Sequence, residues 1–182
     1  FSTGSGAPKG IKGYFCKFNT YSILRYGFRT IIDPGFFDGL LSQQDLDVEC
    51  AYTHDTNLIL ARLCPERKIN TLELSFDSKG GSFKAILPDT QRAHDCIADI
   101  EHGNITGCSF GVLVAEEDWS GVVDDMPVRR LLKYERLDHI CLTPKPLFPD
   151  TEASVNRFSF DPEEKEKEFY LSMLKHRAPQ TM

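Results

Sequence analysis

Apolar and polar residues alternate along most of the chain with the two-residue period of half-buried strands. "IKGYFCKFN" (11–19), "LDVECAYTH" (46–54, ending at His54), "LILARL" (58–63), "INTLELSF" (69–76) and "SFKAIL" (82–87) each read as strands. "DSKGGS", with its two glycines, joins the last two as a hairpin. The period changes in "PDTQRAHDCIADIEHG" (88–103), where Ala93, Ile97 and Ile100 form an apolar stripe. Asp89 or Thr90 can cap that helix, and Gly103 sits where a C-terminal glycine belongs. "DPGFFDGLLSQQ" (33–44) predicts a second, short helix. "ITGCSFGVLV" (105–114) is a strand, "EEDWSGVVDDMP" (116–127) an acidic loop, and "VRRLLKYERLDHICLT" (128–143) one bent strand or two. "PKPLFPDTEAS" is Pro-rich and extended, and "DPEEKEKEFYLSMLKHR" (161–177) is a terminal helix with acidic residues early and basic residues late. Seven to nine short strands and two main helices predict a mostly β, α+β protein. The natural arrangement is an antiparallel β-barrel or sandwich with helices packed around it.

Residues 1–10, rich in Gly, Ser and Pro, read as a flexible segment, residues 11–160 as one domain, and residues 161–182 as a terminal helix and tail. The chain begins at Phe1 and not Met, which predicts a fragment or a processed form. At 41% hydrophobic and 26% charged it has the composition of a soluble globular protein. A formal charge of −6 argues against a nucleic-acid partner, and no apolar run is long enough to span a bilayer. The six cysteines (16, 50, 64, 96, 108, 141) form no CxxC pair and lie mostly in apolar segments. They read as buried reduced thiols, with no metal site and no cofactor expected.

Candidate chemistry centres on "GCSFGV", where two nucleophiles are adjacent. Neighbouring strand residues face opposite ways, so at most one of Cys108 and Ser109 can serve. Cys108 shares its face with Phe110, Val112 and Val114, which marks it as core. Ser109 shares the other face with Gly107, Gly111 and Leu113. Glycines there either clear space for a substrate or pack against a neighbouring element. In "LDHICLT", an Ile140/Leu142 core face points His139 the same way as Ser109 and turns Asp138 inward or into a turn. With His54, these residues make a candidate Ser–His hydrolase arrangement.

The ordered set "GYFCKFN", "DPGFF", "HDTNLILAR", "DTQRAHDCIADIEHGNITGCSFGV" and "LDHICLTPKPLFPDTEAS", followed by Arg157, resembles the HK97-type prohead (capsid maturation) proteases of tailed bacteriophages. That family is related to the herpesvirus assembly proteases, and the likeness covers roughly residues 11–157. It implies a herpesvirus-protease-like barrel ringed by helices and a serine endopeptidase enclosed in the procapsid in the host cytoplasm. The implied substrates are scaffold or the scaffold-like part of the major capsid protein, and the enzyme itself; a homodimer is a further implied partner. Neither nucleic acid nor membrane is implied. Ser109 matches the nucleophile and His54 the catalytic histidine. The third position, usually glutamate, reads His139, as in the Ser-His-His triads of the herpesvirus relatives. Arg129, Arg130 and Arg157 are the arginines weighed as oxyanion partners against an ordinary surface role. Three alternatives stay open: a cysteine hydrolase using Cys108, a catalytically inactive scaffold or capsid-interaction module, and an unrelated ligand-binding barrel.

Overall fold

A computed structural model describes residues 9–157. Among these residues ten strands run in chain order as β1 (Lys9–Lys17), β2 (Arg29–Ile32), β3 (Val48–Tyr52), β4 (Asp55–Cys64), β5 (Ile69–Asn70), β6 (Leu72–Phe76), β7 (Gly80–Ile86), β8 (Gly107–Val123), β9 (Met126–Thr143) and β10 (Glu152–Arg157). A single α-helix among the described residues, α1 (Gln91–Glu101), separates β7 from β8. The terminal helix expected over 161–177 lies outside the described residues.

The protein is mostly β, with α+β character, but its strands leave two open sheets and do not close into a barrel ringed by helices. One sheet has the order β10-β1-β7-β6 and is antiparallel throughout. The other is built on β9, which pairs antiparallel with β8 along nearly its whole length. Toward its two ends β9 also pairs with β2 and β3, both in parallel, and β4 and β5 extend the sheet beyond β3.

The apolar pattern reported burial correctly even where it misjudged the element. Phe36, Phe37 and Leu40 of "DPGFFDGLL" are all buried, yet no α-helix forms there. Asp33 turns its carboxylate onto the Gly35 amide at 3.1 Å, and the N–H groups of Phe36, Asp38, Leu40 and Ser42 donate three residues back. Gly39, at φ +83°, breaks any continuous α ladder. The rings of Phe36 and Phe37 then pack with Phe15, Phe76, Phe110 and Tyr134 into a cluster of edge-to-face and tilted pairs that joins the two sheets.

The expected acidic loop over 116–127 is instead the outer half of the β8–β9 hairpin. Its acids face basic partners across the ladder: Glu117 accepts from Arg129 Nε at 2.7 Å, and Glu116 lies 3.6 Å from Lys133. Each exposed pair is worth little alone, but opposite charges in register favour this pairing over a slipped one. The hairpin closes at Asp124 and Asp125, both left-handed at φ +50° and +59°. The strand expected over 69–76 divides into β5 and β6, which belong to different sheets. Helix α1 buries Ala93, Cys96 and Ile97, and Gly103 at φ +76° follows it as expected. Thr90 occupies the N-cap without a side-chain capping bond.

Candidate active site

The start of β8 and the end of β9 form a regular ladder: Gly107↔Thr143, Cys108↔Leu142, Ser109↔Cys141, Phe110↔Ile140 and Gly111↔His139. Directly opposed residues share a face, so Ser109, Gly111, His139 and Cys141 lie on one side. Cys108, Ile140 and Leu142 lie on the other, and all three are buried. Burial holds the Cys108 thiol well above its ordinary pKa, and its sulfur donates to the Glu152 carbonyl at 3.3 Å. Ser109 is half-buried, and its hydroxyl makes no hydrogen bond to another described residue.

The glycines beside Ser109 make room for protein, not for substrate. A Cβ on Gly111 would stand 2.3 Å from His139 Cε1, so the imidazole lies directly against the glycine backbone. A Cβ on Gly107 would stand 2.7 Å from Pro146 Cγ and 2.9 Å from Thr151 Oγ1. Just beyond, the register slips by one, from Gly111↔His139 to Val112↔Leu137, and Asp138 is the extra residue. The bulge turns both Leu137 and Ile140 into the core. Asp138 does not point inward; it pairs with Arg136 at 2.5 Å on the surface.

His54 reaches this face from a tight turn. β3 pairs with β9 so that Ala51 faces Cys141, and Tyr52 pairs with Asp55 across the β3–β4 hairpin. Thr53 and His54 are thus the two central turn residues, not the end of a strand, and both are left-handed at φ +56° and +62°. Two positive φ values are the signature of a type I′ turn, normally made with Asn and Gly. The Thr53 amide donates to the Leu142 carbonyl at 2.9 Å, fixing the turn to β9. The Tyr52 hydroxyl donates to the Asp99 carboxylate and ties the end of β3 to α1.

The result is a histidine pair. His54 Nδ1 lies 3.1 Å from His139 Nε2, with the rings nearly perpendicular at 85°. The buried Cys141 thiol lies between the arms of the site, touched by the backbone N–H groups of both His54 and Ser109. Burial raises its pKa to about 11, against the pull of those two amides. His54 has its pKa lowered below the usual 6.5, first by desolvation, then by His139, then by the charge of Arg25. Arg25 is the residue that pattern reading missed: it lies 29 positions from His54 in sequence and carries no motif. Arg129 and Arg130 are engaged elsewhere, with Glu117 and with Asp33. The Arg157 side chain falls outside the described part of β10. Among the described residues, no three His, Cys, Asp or Glu side chains converge closely enough to hold a metal ion.

A β-branched residue in the left-handed region costs on the order of 1–2 kcal/mol. Thr53→Asn is therefore expected to stabilise the fold by about 1 kcal/mol. A denaturant melt checks this; a Thr53→Asn protein no more stable than the parent would mean the turn is not strained.

Ser109 and His139 share one face of the β8–β9 ladder, His54 contacts His139, and the family model for caudovirus prohead serine proteases matches residues 2–166. The chain belongs to this family. Membership makes it a bacteriophage protein of the capsid-maturation serine protease class. No curated protein matches the chain. No helix among the described residues is long and apolar enough to cross a membrane.

Proposed function

We propose that this prohead-protease chain is an active serine endopeptidase working through Ser109, His54 and His139. It acts inside the procapsid in the host cytoplasm, on scaffold or the scaffold-like part of the capsid protein, and on itself. The observation that carries the reading is the 3.1 Å contact between His54 Nδ1 and His139 Nε2 on the face shared with Ser109.

The mechanism needs one of the two tautomer arrangements that this contact allows. With its proton on Nδ1, His54 donates to the lone pair on His139 Nε2 and keeps its own Nε2 lone pair free. Ser109 Oγ attacks the scissile carbonyl while His54 Nε2 takes the hydroxyl proton. The tetrahedral intermediate collapses when the His54 imidazolium returns that proton to the leaving amine, leaving an acyl-serine. Water then attacks the acyl group, with His54 again accepting and returning a proton. His139 orients the base and, as an imidazole in place of a carboxylate, stabilises the imidazolium less than a carboxylate would. The enzyme is accordingly slow and suited to a confined, concentrated substrate.

A neutral His54 is required, and its pKa lies below 6.5, so cleavage is expected to hold as pH falls to about 6.5 and to fail through a lower midpoint. Stability follows the same direction. The unfolded imidazole protonates near pH 6.5 while the folded one resists, so stability present above that pH declines below it. In His139→Glu the new carboxylate favours the imidazolium, which moves the acid limb to higher pH and keeps or raises the rate. Co-expression of parent and His139→Glu with the cognate capsid and scaffold proteins, with pH profiles of the purified forms, tests the assignment. An inactive His139→Glu protein, or an unmoved acid limb, would mean that His139 does not orient the base.

The unbonded Ser109 hydroxyl favours one other reading, a catalytically inactive scaffold or capsid-interaction module. Such a module would leave the capsid protein uncut in the same co-expression.

A further inference from the structure

Residues 21–31 form a small hairpin that the mechanism does not use. Tyr21 pairs with Ile31, and Arg25 pairs with Phe28 around Tyr26 and Gly27, left-handed at φ +54° and +85°. The hairpin is firmly seated. Ser22 is buried, its Oγ accepts the Thr30 amide at 2.8 Å, and the Phe28 ring packs edge-on against Trp119. The outward side chains are nevertheless apolar: Ile23 is 45% exposed, Leu24 48% and Tyr26 82%. A turn serving only the fold would place Asn or Gly where Tyr26 accepts left-handed strain and full exposure.

The hairpin borders the candidate site. The Ile23 amide donates to the Leu147 carbonyl at 2.9 Å, and one residue earlier Pro146 packs on Gly107, two positions from Ser109. Arg25 stands near enough for its charge to act on His54. It is exposed, and among the described residues it has no carboxylate partner; its guanidinium lies 5.1 Å from the centre of the Tyr26 ring. On a chain of charge −6, an unpaired guanidinium within electrostatic reach of His54 is a directional anion receptor flanked by apolar side chains.

We infer that this hairpin is a wall of the substrate cleft and that Arg25 selects polypeptides carrying an acidic side chain within a few residues of the scissile bond. The inference rests on the serine-protease reading above. The flanking Ile23, Leu24 and Tyr26 take apolar side chains of the same extended segment.

The test uses the parent, Arg25→Gln and Arg25→Glu, each incubated with a proteome-derived peptide mixture whose new termini are mapped by mass spectrometry. A small fluorophosphonate labels Ser109 in parallel, independently of peptide recognition. Parent sites are expected to be enriched in Asp and Glu near the cut. For the best-cleaved sequence, the acidic peptide should exceed its Gln or Asn counterpart in kcat/KM by about tenfold. That ratio should fall to about one in Arg25→Gln, and in Arg25→Glu a Lys-bearing peptide should be preferred. Because each ratio is taken within one variant, partial loss of activity cancels. With Ser109 labelled, three outcomes overturn the role of Arg25 alone: equal ratios in all three proteins, a parent profile without acidic enrichment, or no peptide cleaved. No labelling and no cleavage would overturn the serine-protease reading, and this inference with it.

Discussion

Cleavage of the co-expressed capsid protein by a Ser109→Ala chain is expected to fall by about 10⁴-fold or more, to background, while Cys108→Ala still cleaves. The two residues are neighbours, yet their surroundings separate them. Cys108 opposes buried Leu142, bonds the Glu152 carbonyl, and is held as a neutral thiol by burial, so it can offer no thiolate. Removing its sulfur opens a small core defect worth on the order of 1–2 kcal/mol and leaves the opposite face intact. Ser109 lies on the face that carries His139. Gel analysis of capsid processing, with melts of both variants, checks the pair. Loss of cleavage in a folded Cys108→Ala protein, with Ser109→Ala active, would make this a cysteine enzyme.

Gly111→Ala is expected to produce the second large effect, about a 10²-fold loss of kcat from one methyl group. The added Cβ would stand 2.3 Å from His139 Cε1 and 2.7 Å from His139 Nδ1, so the ring must move. Movement of about 1 Å breaks the 3.1 Å contact with His54, and misplacement of that size costs about two orders of magnitude in rate. Overpacking adds a stability cost of about 1–3 kcal/mol. Gly121→Ala is the control: its Cβ would meet Val128 at 3.3 Å, far along the hairpin from the histidines, and cleavage should persist. Matched kinetics and melts separate the lost geometry from general damage. Full activity in Gly111→Ala would mean that the position of the His139 ring does not matter.

That Cys108 is a core residue on the face opposite Ser109 was legible in sequence because residues 107–111 and 139–143 pair one to one, so side-chain parity survives. It failed one residue later. Asp138 is an inserted residue at a bulge, and a period-two pattern carries no mark of a bulge. Glycines at 107 and 111 were visible as unusual, but what they accommodate is a ring and a proline brought in by tertiary pairing. In the same way "DPGFF" displayed its buried phenylalanines while the left-handed Gly39 withheld the helix. His54 was visible by resemblance; that it occupies a strained turn with Thr53 was not, since neither residue favours a type I′ turn. Arg25 left no readable signal because its relation to His54 exists only across the folded chain. Acidic residues 116–118 read as a loop because their cross-strand partners, Arg129 and Lys133, are more than ten positions away.

The central claim is that Ser109 is a nucleophile activated by His54. Labelling of the purified chain with a serine-directed fluorophosphonate, followed by peptide mapping, tests it most directly. The account predicts adduct on Ser109 alone, formed more slowly as pH falls below about 6.5 and lost in His54→Ala. A chain that is folded but unlabelled, or one labelled equally well without His54, would contradict it.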